Sequence, residues 1–367
     1  MKVSYSYLKQ QFAQPQKFVK KMMNVVNTGM FTLGPELQEF ETKFANLHQV
    51  KHALGVANGT DALILIMKSL SIGAGDEVIT APNSFIATAG SIAMVGARPV
   101  FVDVDESYNI NPSLIEKAIT SKTKAILPVH LTGSPADMSA IIKIAKKHKL
   151  YVIEDAAQAV SAVYKDKPVG SWGIAAEFSL HPLKNLNIWG DGGVITTNDS
   201  KLYEKLKMWR NHGLKNRDEC EFFAHNARLD TLQAAIGSML IEKINDVTDV
   251  RRHNASFYDQ ELKSLSPNVI VPPRRSDVRE VFHTYVIQVE RRPDLIKFLD
   301  QNGIESKVHY PIPLHLQQAA KYLGYKKGDF PVTESQTEKI LSLPIHQYLT
   351  KNQLNYVVQK IKGFYNR

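Results

Sequence analysis

From about residue 54 to 198, short apolar segments alternate with stretches of helical spacing. The apolar segments are Leu54 to Ala57, Glu77 to Thr80, Pro99 to Val104, Ala125 to Val129, Tyr151 to Glu154, Glu177 to Leu180 and Val194 to Thr197. Between them, Ala62 to Leu70, Ser113 to Ile119 and Met138 to His148 have helical length and apolar periodicity. This alternation predicts a largely parallel sheet with covering helices. The strand ends carry small or polar residues, Asn58-Gly59-Thr60, Pro82-Asn83-Ser84 and Asp155, where an open α/β sheet places its ligand crevice.

After Asp230 a helical stretch, Thr231 to about Ile244, leads into a charged and then proline-rich segment containing Pro272-Pro273-Arg274-Arg275. The change of composition predicts a domain boundary near 246–250, dividing a large domain over 1–248 from a small one over 249–367. In the second part His283 to Val289, Asp294 to Gln301 and Glu305 to His309 read as strand, helix and strand of an α+β unit.

The 367 residues suffice to bury a substantial core, so stability needs no disulfide or metal staple. No apolar run reaches bilayer-spanning length, and the polar start, Met1 to Lys20, lacks the apolar centre of a secretory signal. The expectation is a cytoplasmic protein with no membrane role. Cys220 is the single cysteine; it has no internal disulfide partner and belongs to no zinc pattern, so no metal is expected. A net charge of +9 suits an anionic cofactor or substrate. The basic residues are scattered, and clusters such as Lys146-Lys147-His148-Lys149 lack interleaved aromatics, which argues against a nucleic-acid surface.

Three places carry candidate chemistry. Glu177 to Asn185 runs from a strand into a turn bearing Lys184, followed by Gly190-Asp191-Gly192-Gly193. A partly desolvated lysine can shed its proton for Schiff-base chemistry, and glycines let the backbone approach a flat ring; taken alone, a lysine beside a glycine-rich turn is usually a surface residue. Tyr151 to Glu154 leads to Asp155, a carboxylate able to keep a pyridinium nitrogen protonated and so make the ring an electron sink, or to cap a helix. Gln158, one turn on, reaches a ring hydroxyl or faces solvent. Asn58-Gly59-Thr60-Asp61 opens an apolar helix, so the amides of Gly59 and Thr60, the Thr60 hydroxyl and the helix dipole suit a phosphate, with a plain capping turn as the competing reading. Ser179 offers that phosphate a second hydroxyl, and Phe85 either stacks on a ring or fills the core.

The order phosphate turn, aromatic, aspartate, serine and lysine is that of a fold-type I pyridoxal 5′-phosphate enzyme. The chain resembles the DegT/DnrJ/EryC1/StrS family of sugar aminotransferases over almost its full length. The resemblance runs through Leu33-Gly34-Pro35, Asn58 to Leu63, Gly75 to Val78, Ile153 to Gln158, Ser179 to Lys184, Asn226 to Ala235 and His309 to His315. It implies a fold-type I large domain with a mostly parallel seven-stranded sheet, and a smaller C-terminal α+β domain. It also implies a homodimer with two shared active sites, in which Asn226 comes from the neighbouring chain to contact the cofactor phosphate. His309 and Tyr310 are implied to border the sugar. Lys184 would anchor the cofactor and then carry the proton, moving an amino group from glutamate to a keto-sugar by ping-pong kinetics.

A dehydratase branch of the family has histidine in place of that lysine, and this chain keeps Lys184. Most members act on nucleotide-linked keto-hexoses; an unactivated sugar, such as an eight-carbon keto-acid sugar oxidised at C8, is the alternative substrate. A cofactor-binding regulator without catalysis is the alternative of another class. Ala224-His225 stands where many relatives have glycine and an aromatic residue, which implies a differently shaped neighbour-chain loop.

Overall fold

The computed structural model describes residues 1–366. Its first strands are β1 (His52–Val56), β2 (Glu77–Thr80), β3 (Arg98–Phe101), β4 (Thr123–Ile126) and β5 (Tyr151–Asp155); a short pair, β6 (Val163–Tyr164) and β7 (Lys167–Pro168), precedes β8 (Ala175–Ser179) and β9 (Gly193–Thr197). All seven strands read from the apolar pattern join one sheet in the order β1-β9-β8-β5-β4-β2-β3. Its pairings are parallel from β3 to β8, and β9 alone runs against its neighbours. Near-continuous burial of β4, β5, β8 and β9 reflects a sheet covered on both faces.

Since β1 lies at one edge and β2 near the other, the helix Gly59–Ser69 that joins them crosses the sheet, packing on β8 and β9. Residues Ala62 to Met67 of this helix are all buried, as expected for one that is apolar on every side. Asn58 caps it, its side-chain oxygen accepting from the Asp61 amide at 2.8 Å. The crossing leaves the N-terminal turn of the helix above the ends of β8 and β5.

The C-terminal part holds β10 (Val269–Ile270), β11 (Val278–Arg279), β12 (Tyr285–Val289) and β13 (Ile340–Leu343). β10, β12 and β13 form an antiparallel sheet packed by helices Arg292–Gln301 and Lys351–Tyr365, while β11 pairs with β6. The expected helix Asp294 to Gln301 begins two residues earlier, with Pro293 in its first turn.

The expected strand Glu305 to His309 does not form as such: pairing is confined to Lys307 and Ser342, which exchange bonds of 3.1 and 2.8 Å. Pro311 and Pro313 follow immediately, and proline supplies no amide to extend a ladder. The stretch from Thr231 is helical to Leu240, tightens into a 3₁₀ turn over Ile241–Lys243, and continues as helix Ile244–Leu262. The position 246–250 therefore lies inside a helix. Its buried residues Ile244, Thr248, Arg251, Ala255, Tyr258 and Leu262 recur every three or four places. At the other end of the chain Val3 joins the C-terminal core and pairs with Ile304.

Candidate active site

A cavity of about 670 Å3 opens at the C-terminal ends of β5 and β8, under the N-terminus of helix Gly59–Ser69. Gly59, Thr60, Phe85, Asp155, Gln158, Ser179, Lys184, His309 and Tyr310 all line it. Asn226 does not; it is exposed on the loop before helix Thr231–Leu240, its side-chain oxygen accepting from the Arg228 amide.

Asp155 ends β5 and is 5% exposed. No helix follows it, so it does not act as a cap. Its carboxylate accepts from the Thr88 hydroxyl at 2.7 Å, and Thr88 is paired with Ser84 at 2.7 Å. Gln158 is buried rather than solvent-facing: its oxygen accepts from the Thr132 amide at 2.7 Å, and its nitrogen donates to the Tyr310 hydroxyl at 3.2 Å. The Tyr310 ring lies 5.6 Å from Phe85, which is half exposed and so forms cavity wall rather than core.

Lys184 closes a turn, its amide bonded to the His181 carbonyl at 2.8 Å, and its own carbonyl accepts from the Tyr7 hydroxyl at 2.7 Å. Burial lowers the pKa of its ammonium, while the charges of Glu177 and Asp155 pull it back up. Glu177 lies beside Asp155 in register on the next strand. Burial, and then the Asp155 charge, push its carboxyl well above the usual carboxylate range. One Glu177 oxygen is buried with no hydrogen-bond partner.

The turn above these carboxyls requires a glycine. A Cβ on Gly59 would collide with a Glu177 oxygen and lie 3.3 Å from Ser179 Cβ. Asn58 caps this helix, and the first-turn amides of Gly59 and Thr60 have no intrahelical acceptor, so capping and anion binding are compatible roles of one turn. The cavity therefore carries a phosphate cradle, a carboxylate to face a ring nitrogen and an amine able to form an imine. That donor set fits pyridoxal 5′-phosphate.

Sequence reading missed Thr88, Glu177, Tyr5, Tyr7, Arg251 and His283 among the lining residues. For Glu177 a signal existed: in a strand, residues two apart share a face, which puts it with Ser179 and opposite Phe178. Tyr5 and Tyr7 come from a segment distant in sequence, and no local pattern marks them.

The model of the DegT/DnrJ/EryC1/StrS aminotransferase family matches residues 13–362. A protein of Geobacillus stearothermophilus named pleiotropic regulatory protein is 44% identical over 368 residues, covering 100% of this chain and 99% of its own. The dTDP-3-amino-3,6-dideoxy-alpha-D-galactopyranose transaminase of Aneurinibacillus thermoaerophilus is 42% identical over 351 residues, covering 95% and 96%. The structure of S. venezuelae DesV in complex with a ketimine intermediate superposes with a TM-score of 0.97 at 37% identity, covering 100% of this chain and 99% of that one. A match of this extent, over a cavity that brings Lys184 together with Asp155 and the Gly59 turn, establishes that the chain belongs to the DegT/DnrJ/EryC1/StrS family and is a pyridoxal 5′-phosphate-dependent aminotransferase.

Proposed function

We propose that the chain moves an amino group from glutamate to a nucleotide-linked keto-sugar in the synthesis of a surface polysaccharide or glycan. The observation that carries the reaction is the convergence of Lys184, Asp155 and the Gly59–Thr60 turn on one cavity. The transaminase activity on a dTDP-linked sugar named for the Aneurinibacillus relative supports the substrate class.

When bound, pyridoxal phosphate supplies an electron sink for the charge that develops at the donor α-carbon. Gly59, Thr60 and Ser179 hold its phosphate in this reading, and Phe85 covers the ring. Asp155, fixed by Thr88, holds the proton on the ring nitrogen, and Gln158 faces the ring hydroxyl. Lys184 first anchors the cofactor and then, once released, carries the proton to and from the reacting carbons; burial, by favouring its neutral amine, suits it to that task. His309 and Tyr310 border the sugar. Burial and the nearby Lys184 charge bring the His309 pKa down to about 4, so it acts as a neutral hydrogen-bonding group.

We further infer a homodimer in which Asn226 completes the partner's site. Met30, Phe31, Leu33, Ile86, Met94 and Phe223 are exposed apolar residues that association would shield from water, and Asn226 lies outside the cavity of its own chain.

The test is a pair of half-reactions on the purified holoenzyme. Glutamate should bleach the lysine-linked cofactor absorbance, and one member of a panel of keto-sugars, offered with and without nucleotide, should restore it. Restoration by an unactivated eight-carbon sugar alone would replace the nucleotide-linked substrate. The regulatory name of the Geobacillus relative supports a second reading, a cofactor-binding regulator; it is favoured if cofactor binds yet no amino acid bleaches it.

A further inference from the structure

The same cavity is lined by Tyr5, Tyr7, Arg251, His283 and His346, a group that carries no carboxylate. Arg251, on helix Ile244–Leu262, is 1% exposed. Its Nη1 donates to the carbonyls of Phe282 and His283 at 3.0 and 3.4 Å, its Nε donates to the Gln347 side chain at 3.2 Å, and its guanidinium lies 5.1 Å from the centre of the Tyr7 ring. Its Nη2 is buried and has no hydrogen-bond partner. Among the described residues no carboxylate forms an ion pair with it.

His283 is in the same condition: its Nδ1 is buried without a partner. Burial lowers its pKa well below the usual range, and Lys184, Arg251, His309 and His181 all lower it further, so it stands neutral with no anion facing it. A buried guanidinium with an unused donor and no counter-charge is costly to fold, and its place on the reaction cavity accounts for its retention if an anion from outside completes it. The Tyr7 ring that Arg251 covers donates its hydroxyl to the backbone carbonyl of Lys184.

The polarity of the cavity narrows the choice of anion. The cofactor phosphate is accounted for by the Gly59 turn. A diphosphate on a sugar spreads its charge over many oxygens, whereas Arg251 offers one free donor at a deep position. An amino acid in reaction with Lys184 carries its carboxylate two bonds from its amine, and that compact anion needs a donor on the cavity lining. Arginine donors match carboxylate geometry.

We propose that Arg251, through Nη2, together with the His283 ring, forms the carboxylate site for the amino-acid donor. The proposal rests on the aminotransferase reading of Lys184. Arg251→Gln, Arg251→Lys and His283→Gln would be compared with the wild type as holoenzymes. Two quantities are measured: saturation of each half-reaction in single turnover, and calorimetric binding of glutarate, a dicarboxylate that cannot transaminate.

Arg251→Gln should raise the glutamate concentration for half-saturation more than tenfold relative to any change in the sugar half-reaction, and weaken glutarate binding by a similar factor. Arg251→Lys and His283→Gln should fall between it and the wild type. Unchanged glutamate saturation and glutarate binding would overturn the proposal, as would a loss confined to the sugar half-reaction, which would assign the site to the nucleotide phosphates. If Arg251→Gln does not fold, Arg251→Lys and His283→Gln decide: wild-type donor saturation in both overturns it. A wild-type protein with no donor half-reaction refutes the underlying reading instead.

Discussion

Replacing Glu154 by glutamine should destabilise the protein by about 3–5 kcal/mol, the range for breaking a fully buried charged network. Glu154 and Asp155 are consecutive residues of β5 and so point to opposite faces. Asp155 faces the cavity, while Glu154, 0% exposed, organises the chain beneath it. One Glu154 oxygen accepts from the amides of Trp172 and Gly173 at 2.9 and 2.8 Å; the other accepts from Gly170 at 2.8 Å and from His130 at 3.1 Å.

Glutamine keeps one acceptor oxygen, so either orientation turns an NH2 group toward two donors. Rotating the His130 proton does not recover the loss, because His130 Nδ1 already accepts from the Ala136 amide at 3.0 Å and neutral imidazole has one acceptor. Two charge-assisted bonds at about 1.5–3 kcal/mol each reach the same total.

Urea denaturation of the cofactor-free protein gives the midpoint and slope, with the expected loss appearing in the midpoint. A pH series adds a sign. Burial would raise the Glu154 pKa, but the hydrogen bond from His130 and the amides of Gly173 and Gly170 outweigh it and hold the carboxyl low. Its stabilisation is therefore full above the unfolded carboxyl pKa and is lost as pH falls through the folded one; the variant should lack that part of the acid limb. A midpoint shift worth less than about 1 kcal/mol, with the acid limb unchanged, would refute the reasoning.

Gly59→Ala should weaken cofactor binding and cost about 1–3 kcal/mol as overpacking against Glu177. Adding Glu177→Ala should recover much of the folding loss, and strict additivity in that double-mutant cycle would count against the contact. Thr88→Val removes the hydroxyl that fixes Asp155 and should slow the donor half-reaction about tenfold or more, about 1–3 kcal/mol for one buried bond; wild-type rates would exclude Thr88 as a positioning residue. His48, buried between Phe44 and Phe178, has its pKa brought down to about 4 by burial. Its contribution is full above its unfolded pKa of about 6.5 and falls by about 3 kcal/mol as the pH drops to 4; a thermal-melt series on His48→Gln should show a flatter profile there, and an identical profile would contradict the assignment. Finally, mixing Lys184→Ala chains with Asn226→Ala chains should restore up to a quarter of wild-type activity, from the one intact site in each hybrid dimer; no recovery among demonstrated hybrids would refute the shared site.

The large sheet was legible because its strands are short apolar runs separated by amphipathic helices, as at Tyr151–Asp155 and Val194 to Thr197. The C-terminal part was less so. Lys307 pairs with Ser342 for a single step, and the charged stretch after Ile244 is a helix whose buried face includes an arginine. Within the site, Lys184 and Asp155 were each ambiguous alone and gained meaning from their order along the chain. Arg251 had no such marker: on the sequence it is one of a pair of arginines in a polar run, and only the packing of that helix against Phe282 and Tyr7 sets it on the cavity. Glu177 was counted as a strand residue, since its proximity to Gly59 depends on the crossing of the sheet by the helix.

The N-terminal segment has a practical consequence. Val3 is held by the Gly303 carbonyl and the Glu305 amide at 2.8 and 3.0 Å, Tyr5 donates its amide to the Glu305 carboxylate at 2.9 Å, and Tyr7 reaches Lys184. Tyr5 and Tyr7 line the cavity, and the Tyr7 hydroxyl meets the backbone carbonyl of Lys184. Trimming through Tyr7 would remove part of the cavity wall, so kinetic comparisons between preparations hold only when Tyr5 and Tyr7 are both present.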